Sequence, residues 1–157
     1  MGQEIERKFL VKGEGWREAA TRQTRMRQGY LSDGMSRSIR VRLEGDRAAI
    51  NIKSSRDGIQ RLEFEYPVPV EDAVAMLDHV ALKPLIEKTR YEVPVGEHLW
   101  EVDVFEGDNS GLVVAEVELG SVEEAFERPE WAGEEVSHDH RYYNVSLREN
   151  PYKNWKE

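Results

Sequence analysis

The sequence predicts a mainly β protein of the α+β class, because most of its patterned segments alternate between charged and apolar residues. Ile39, Val41 and Leu43, for example, flank Arg40 and Arg42. Successive side chains of a strand point to opposite faces, so each such segment has one apolar face and one ionised face. This pattern is typical of half-buried antiparallel strands.

The first strand is predicted at residues 4–8, where Glu4, Glu6 and Lys8 project from one face. Charges at matching positions recur along the chain, at Arg40 and Arg42, Lys53, Glu63 and Glu65, Lys88 and Arg90, Glu101 and Asp103, and Glu116 and Glu118. A solvated outer face explains any one of these segments, since antiparallel sheets commonly leave one face in water. Acidic and basic pairs nevertheless lie on separate segments, whereas surface charge is usually interspersed, which indicates a shared binding surface.

Helical periodicity is strongest at residues 71–82, which follow two prolines and place Val74, Leu77 and Ala81 on one face. A helix with one apolar stripe needs an apolar partner. We therefore expect this helix to cover the apolar exterior of the strands.

Shorter helices and turns are predicted between the remaining strands. A weak helix is expected within residues 13–22, and Ser121 begins a sequence with the spacing of a capping box. Asn144 is expected to cap a last short helix. Residues 57–58 and 108–111 have the composition of turns.

Composition narrows the class of protein. The 157 residues predict a single domain, residues 1–157. A net charge of −9 argues against a nucleic-acid partner, and the absence of cysteine excludes disulfides and thiolate metal sites. No apolar run approaches the length of a membrane span and the N-terminus lacks a signal-peptide core, so we expect a cytoplasmic protein without a membrane partner.

Common nucleotide and metal motifs are missing from the sequence. The glycines form neither a P-loop nor a Rossmann fingerprint. His138 and His140 lie in a polar segment without an HExxH motif or a cysteine partner, so we interpret them as exposed loop histidines.

If the charged faces meet in one interior, their eight acidic side chains exceed their six basic ones by two. Confined charges are costly unless they are paired or bound to metal, and clustered carboxylates are suitable ligands for Mg²⁺. The six cations suit a compact anion with several charged centres, because arginine and lysine both bind phosphate oxygens. A short polyphosphate meets this description.

The segment Glu4-Ile5-Glu6-Arg7-Lys8 resembles the ExExK signature of the CYTH superfamily, whose members are also called triphosphate tunnel metalloenzymes. The resemblance continues in order at Gln28-Gly29-Tyr30-Leu31, Arg40-x-Arg42, Ile52-Lys53, Glu63-x-Glu65, Glu87-Lys88-Thr89-Arg90, Glu101-x-Asp103, Glu116-x-Glu118 and Arg141-Tyr142-Tyr143-Asn144. ExExK alone is a weak pattern, but the ordered set is specific and covers nearly the whole chain. It implies a closed eight-stranded antiparallel β-barrel with a few flanking helices and an ionised lumen that binds triphosphates.

The resemblance also implies roles for the charged residues, together with two ions of Mg²⁺ or Mn²⁺. The expected metal ligands are Glu4, Glu6, Glu116 and Glu118, followed by Glu65 and Asp103. The expected phosphate ligands are Lys8, Arg40, Arg42, Lys53, Lys88 and Arg90. One ion would bridge protein and substrate, and the other would activate the attacking water.

Glu6, Lys8 and Tyr30 are the expected catalytic residues. Lys8 and Tyr30 resemble a lysine–tyrosine pair that assists the attacking water in some family members. An adjacent ammonium would lower the pKa of the Tyr30 phenol and give an alkaline optimum. The alternative is a purely structural Tyr30 hydroxyl at the end of a strand.

The predicted activity is metal-dependent hydrolysis of inorganic triphosphate to pyrophosphate and phosphate, as is typical of short bacterial members. Three alternatives stay open: an adenylate cyclase, a thiamine or nucleoside triphosphatase, and a non-catalytic module that binds polyphosphate. The sequence also leaves open whether the chain forms a homodimer.

Overall fold

The computed structural model describes residues 2–32 and 37–155. Nine strands are present in this part of the chain: β1 (Gly2–Val11), β2 (Arg22–Tyr30), β3 (Arg37–Glu44), β4 (Arg47–Ser54), β5 (Gln60–Pro67), β6 (Leu82–Val95), β7 (His98–Phe105), β8 (Val113–Glu118) and β9 (Ala132–Glu135). Its three α-helices are α1 (Trp16–Ala19), α2 (Val70–His79) and α3 (Asn144–Glu149). None of these helices is long and apolar enough to cross a membrane.

The strands form one antiparallel sheet in the order β5-β4-β3-β2-β6-β7-β8-β1. The sheet closes because residues 2–5 of β1 pair with β5, from Gly2 opposite Glu63 to Ile5 opposite Gln60. The short strand β9 extends the sheet beyond this closure, with Glu135 opposite Phe9. The predicted eight-stranded barrel is therefore confirmed, with one additional strand.

The hydrophobic core lies on the outer face of the barrel wall, since the strand positions that alternate with the charged residues point outwards. Phe9, Trp100 and Val102 belong to one apolar cluster, which α1 covers through the buried side chain of Trp16. A second cluster lies around α3, and a third lies beneath α2. Because apolar burial occurs outside, the lumen is left to polar groups.

The helix α2 covers the exterior as predicted, with Ala73 and Leu77 buried against Val41. It ends at His79, three residues before the predicted end, because Leu82 already begins β6. From Leu82 onwards the backbone is part of the barrel wall.

Two other predictions at helix starts are wrong. Ser121 begins a turn and not a helix; in this turn the Glu124 carboxylate accepts from the backbone N–H of Gly120 and lies 2.5 Å from His98 Nε2. Asn144 is the first residue of α3 and not its cap, which is Tyr143. The Asn144 side chain instead points into the barrel.

Candidate active site

The barrel encloses a cavity of about 230 Å³ whose lining is almost entirely polar. The predicted site residues found in this lining are Glu4, Glu6, Lys8, Tyr30, Arg40, Arg42, Lys53, Glu65, Lys88, Arg90, Glu116 and Glu118. They meet because strand alternation aims them all inwards and because neighbouring strands place them side by side. Arg40, for instance, lies opposite Asn51 on β4, which lies opposite Glu65 on β5.

A group of carboxylates from β1 and β8 forms one part of the lumen. Burial, followed by the charges of Glu116 and Glu4, raises the pKa of Glu6 to about 8. Glu6 shares a hydrogen bond with Glu116. Burial opposes ionisation of Glu116 as well. The pKa of Glu116 is nevertheless held well below the usual range by the charge of Lys8, by this hydrogen bond and by the charge of Arg90. The two carboxyl groups therefore share one proton at neutral pH.

Glu4 is engaged by cations of the adjoining strands β5 and β4. Its carboxylate accepts from Arg61 Nε at 2.8 Å and from Lys53 Nζ at 3.1 Å. Burial alone would raise its pKa, yet these two cations lower the pKa of Glu4 to about 2. Burial and the nearby Arg40 lower the pKa of Lys53 to about 8.

Asp103 does not line the cavity but lies behind two of the lining cations. It accepts from Arg90 Nε and Nη2 at 2.8 and 2.9 Å, and it lies 2.8 Å from Lys88 Nζ. Burial opposes its ionisation, but Arg90 and Lys88 outweigh burial and lower the pKa of Asp103 to about 2. Burial lowers the pKa of Lys88 to about 8.

Arginines crowd the part of the lumen formed by β3 and β6. Burial, then the charges of Arg40 and Arg90, lower the pKa of Arg42, although Glu44 lies 3.2 Å from its guanidinium. Arginine stays charged under all ordinary conditions. These neighbouring cations therefore repel one another, and a multivalent anion between them would relieve that repulsion.

The expected pairing of Lys8 with Tyr30 is not what the structure contains. Lys8 Nζ donates to the carbonyl oxygen of Tyr142 at 3.2 Å and lies 5.6 Å from the ring centre of Tyr143. Burial raises the pKa of Tyr30 in spite of the nearby positive charge of Arg40. The expected lowering of the Tyr30 pKa is wrong, because burial of the phenol outweighs the neighbouring positive charge.

Eight lining residues were not predicted as site residues: Ser38, Arg56, Arg61, Glu63, Glu101, Tyr143, Asn144 and Val145. Arg61 shares its strand face with Glu63 and Glu65, so the same alternation identifies it in retrospect. Arg56 lies in the loop between β4 and β5, where no strand period applies.

Arg56 and Arg61 change the net charge of the lumen. The described lining now contains seven acidic and eight basic side chains, and so it lacks the predicted excess of negative charge. The local clustering of Glu6 with Glu116, and not the total charge, is the feature that favours a cation.

Asn144 joins the C-terminal segment to the barrel interior. Its side-chain oxygen accepts from Lys88 Nζ at 2.9 Å and from Gln28 Nε2 at 2.8 Å. Gln28 is fully buried. The start of α3 therefore lies inside the barrel and holds Lys88 on the side facing the lumen.

Among residues 2–32 and 37–155, no three acidic or histidine side chains converge closely enough to form a ready-made metal site. The donors at Glu6 and Glu116 are nevertheless all carboxylate oxygens, as hard divalent cations prefer. Mg²⁺ in particular is usually held by one or two carboxylates, with water and substrate phosphates completing its coordination. Glu6 and Glu116 fit this kind of site.

The fold and the site together define a class of protein: a closed tunnel with an ionised lumen, in which crowded cations adjoin a protonated carboxylate pair. The family model for the CYTH domain matches residues 2–147, so the chain belongs to the CYTH family. This confirms the resemblance found in the sequence.

Two inorganic triphosphatases are similar to this chain over nearly its whole length. The protein from Acetivibrio thermocellus is 45% identical over 157 residues, 100% of each chain. The protein from Nitrosomonas europaea is 39% identical over 149 residues, 92% of this chain and 95% of that one. A crystal structure of an inorganic triphosphatase superposes with a TM-score of 0.64 at 36% identity, covering 94% of this chain and 95% of the other.

Proposed function

We propose that this protein hydrolyses inorganic triphosphate to pyrophosphate and phosphate inside the barrel, with a divalent cation. The observation that carries the proposal is the division of the cavity into two adjoining parts. Arg40, Arg42 and Arg90 crowd one part, and Glu6 and Glu116 share a proton in the other. The names of the two similar proteins support the same activity.

Glu6 and Glu116 are the proposed ligands for Mg²⁺ or Mn²⁺. When bound, such an ion neutralises phosphate charge and lowers the pKa of a coordinated water. Glu6 must release its proton to the solvent before its carboxylate can bind the cation. Glu118 also lines the lumen, and burial together with Glu4 and Glu63 raises its pKa. It is the carboxylate that we assign to a second ion.

The other carboxylates are assigned to holding cations in place. Asp103 orients Lys88 and Arg90 from behind the lining, and Glu4 orients Lys53 and Arg61. Glu65 lies 3.7 Å from Arg42 Nη2 and also accepts from Asn51 Nδ2 at 2.7 Å. Each of these carboxylates already has partners that a metal ion would have to displace.

The basic side chains bind and orient the substrate. Arg40, Arg42 and Arg90 provide planar forks for phosphate oxygens, and Lys8, Lys53 and Lys88 provide point charges. In phosphoryl transfer, positioning and neutralisation of charge supply most of the rate. These residues are fixed by their contacts within the barrel wall, so they need little reorganisation as charge shifts in the transition state.

The lining favours an inorganic substrate over ATP or thiamine triphosphate. Tyr30 and Tyr143 are the only aromatic side chains in the described lining. The Arg56 guanidinium already covers Tyr143, at 4.5 Å from its ring centre. Recognition of a base or a thiazole ring usually uses an exposed aromatic face or an apolar pocket, and this lumen provides neither.

A substrate panel tests the proposal. Purified protein is incubated with inorganic triphosphate, ATP, thiamine triphosphate or long-chain polyphosphate, each with Mg²⁺ or Mn²⁺, and the products are separated chromatographically. We expect the highest kcat/KM for inorganic triphosphate, with pyrophosphate and phosphate formed in equal amounts. Cyclic AMP formation from ATP would overturn the proposal in favour of a cyclase. Binding of triphosphate without turnover would indicate a polyphosphate-binding module.

A further inference from the structure

Arg56 is an inward-pointing residue of a largely exposed loop. It lies between β4 and β5, next to Ser55 and Asp57, which are both exposed. Its own side chain is only 14% exposed and contributes to the lining of the lumen. A flexible charged side chain is normally solvated when its backbone lies in a surface loop, so its burial here requires an explanation.

Two contacts hold the Arg56 guanidinium in the lumen. Its Nη2 lies 3.4 Å from the Glu6 carboxylate, and its central carbon lies 4.5 Å from the ring centre of Tyr143. Its Nε is buried and donates to no group of the described chain. A buried donor without an acceptor is unfavourable, and an incoming oxyanion would satisfy it.

We propose that Arg56 binds triphosphate and also competes with the divalent cation for Glu6. In the empty barrel, its positive charge lies beside the carboxylate that the proposed cation would use. The guanidinium would be repelled from that carboxylate by a cation held there. The Tyr143 ring keeps it in the lumen, where its fork is free to bind a phosphate oxygen.

This inference rests on the proposed function, because it names one further residue that binds the same substrate. It makes two predictions of opposite sign. When Glu6 is ionised, removing Arg56 takes a competing positive charge away from its carboxylate, so the cation binds more tightly when substrate is absent. The same change removes a phosphate contact, so triphosphate binds more weakly. A residue that only stabilised the loop would not produce this combination.

The test uses full-length Arg56→Gln. Calorimetric titration of the substrate-free protein with Mn²⁺, at a pH above about 8 so that no proton competes for Glu6, is expected to give a dissociation constant about 3- to 10-fold lower than that of the wild type. The KM for triphosphate is expected to rise about 10- to 100-fold, with a smaller change in kcat. Arg56→Lys keeps the charge but not the fork, so its Mn²⁺ affinity should stay near that of the wild type while its KM rises.

Arg37→Gln is the matched control, since it removes one exposed positive charge from the outward-facing side of β3. It should leave both constants unchanged. Unchanged constants in Arg56→Gln, or weaker Mn²⁺ binding, would overturn the inference. Equilibrium binding of triphosphate distinguishes a failure of this inference from a failure of the proposed function. A wild type that binds triphosphate through Arg56 without hydrolysing it would contradict only the catalytic assignment.

Discussion

Lys88 Nζ lies 2.8 Å from the Asp103 carboxylate, and each side chain is only 1% exposed. Arg90 donates to the same carboxylate through two nitrogens. Removing this carboxylate would take away the acidic partner of the buried Lys88 and leave Arg90 with the more distant Glu101, at 3.3 Å. Asp103 is therefore central to the stability of the cation cluster, although its sequence position suggested a metal ligand.

Asp103→Asn separates these two roles. We expect the free energy of unfolding to fall by about 3–5 kcal/mol, because one partner of a buried ion pair is neutralised. Urea denaturation measures this loss, and calorimetry measures Mn²⁺ binding to the variant at a temperature at which it is folded. Mn²⁺ affinity should be retained. Full stability together with a large loss of Mn²⁺ affinity would identify Asp103 as a metal ligand instead.

Metal affinity should depend on pH through Glu6. The raised pKa, about 8, means that Glu6 carries a proton below this pH, so a cation must displace that proton in order to bind. The association constant for Mg²⁺ should therefore rise about tenfold per pH unit up to about pH 8 and level off above it. Titrations between pH 6 and about 9 measure the slope. Glu6→Gln, which cannot ionise, should bind weakly at every pH, and a wild-type affinity independent of pH would contradict the assignment.

Arg42 and Arg7 form a matched pair of arginines on opposite faces of the barrel wall. Arg42→Ala should lower kcat/KM for triphosphate roughly 10- to 1000-fold, because it removes a phosphate ligand whose effect grows as charge shifts. Arg7 points outwards and pairs with Glu135 at 2.6 Å. Arg7→Ala should leave kcat/KM nearly unchanged while lowering Tm slightly. Equal losses in the two variants would contradict the inward and outward alternation.

Tyr30→Phe tests whether the phenol titrates during catalysis. Because burial raises its pKa, Tyr30 stays protonated across the usual assay range and is able to donate a hydrogen bond but not to act as a phenolate base. We expect kcat to fall about tenfold or less, with the pH–rate profile keeping its shape. A flattened alkaline limb in the pH–rate profile of Tyr30→Phe would instead support the phenolate mechanism.

The sequence predicted the barrel wall well because a strand has a strict period of two. From Glu4 to Glu118, alternation indicated which side chains point inwards, and the structure brings those side chains into one lumen. The period does not give the distances between strands. Asp103 was therefore placed on the correct strand face, but its complete pairing with Lys88 and Arg90 was not predictable.

The sequence also did not predict the contacts that irregular segments make with the lumen. Arg56 enters from a loop and Asn144 from the start of a short helix, so neither follows a pattern that aims it at the lumen. The pairing of Lys8 with Tyr30 failed for a related reason. Burial and the position of Arg40 determine the environment of the Tyr30 phenol, and both depend on how the barrel closes.

The most direct test of the central claim is the rate of triphosphate hydrolysis by protein stripped of metal with a chelator, measured before and after Mg²⁺ is restored. The account predicts no measurable turnover by the stripped protein, because Glu6 and Glu116 then share a proton and the cation they are proposed to hold is missing. Added Mg²⁺ should restore the full rate in the wild type, but not in Glu6→Gln. Full activity of the metal-free protein would contradict the assignment of the carboxylate pair and the mechanism built on it.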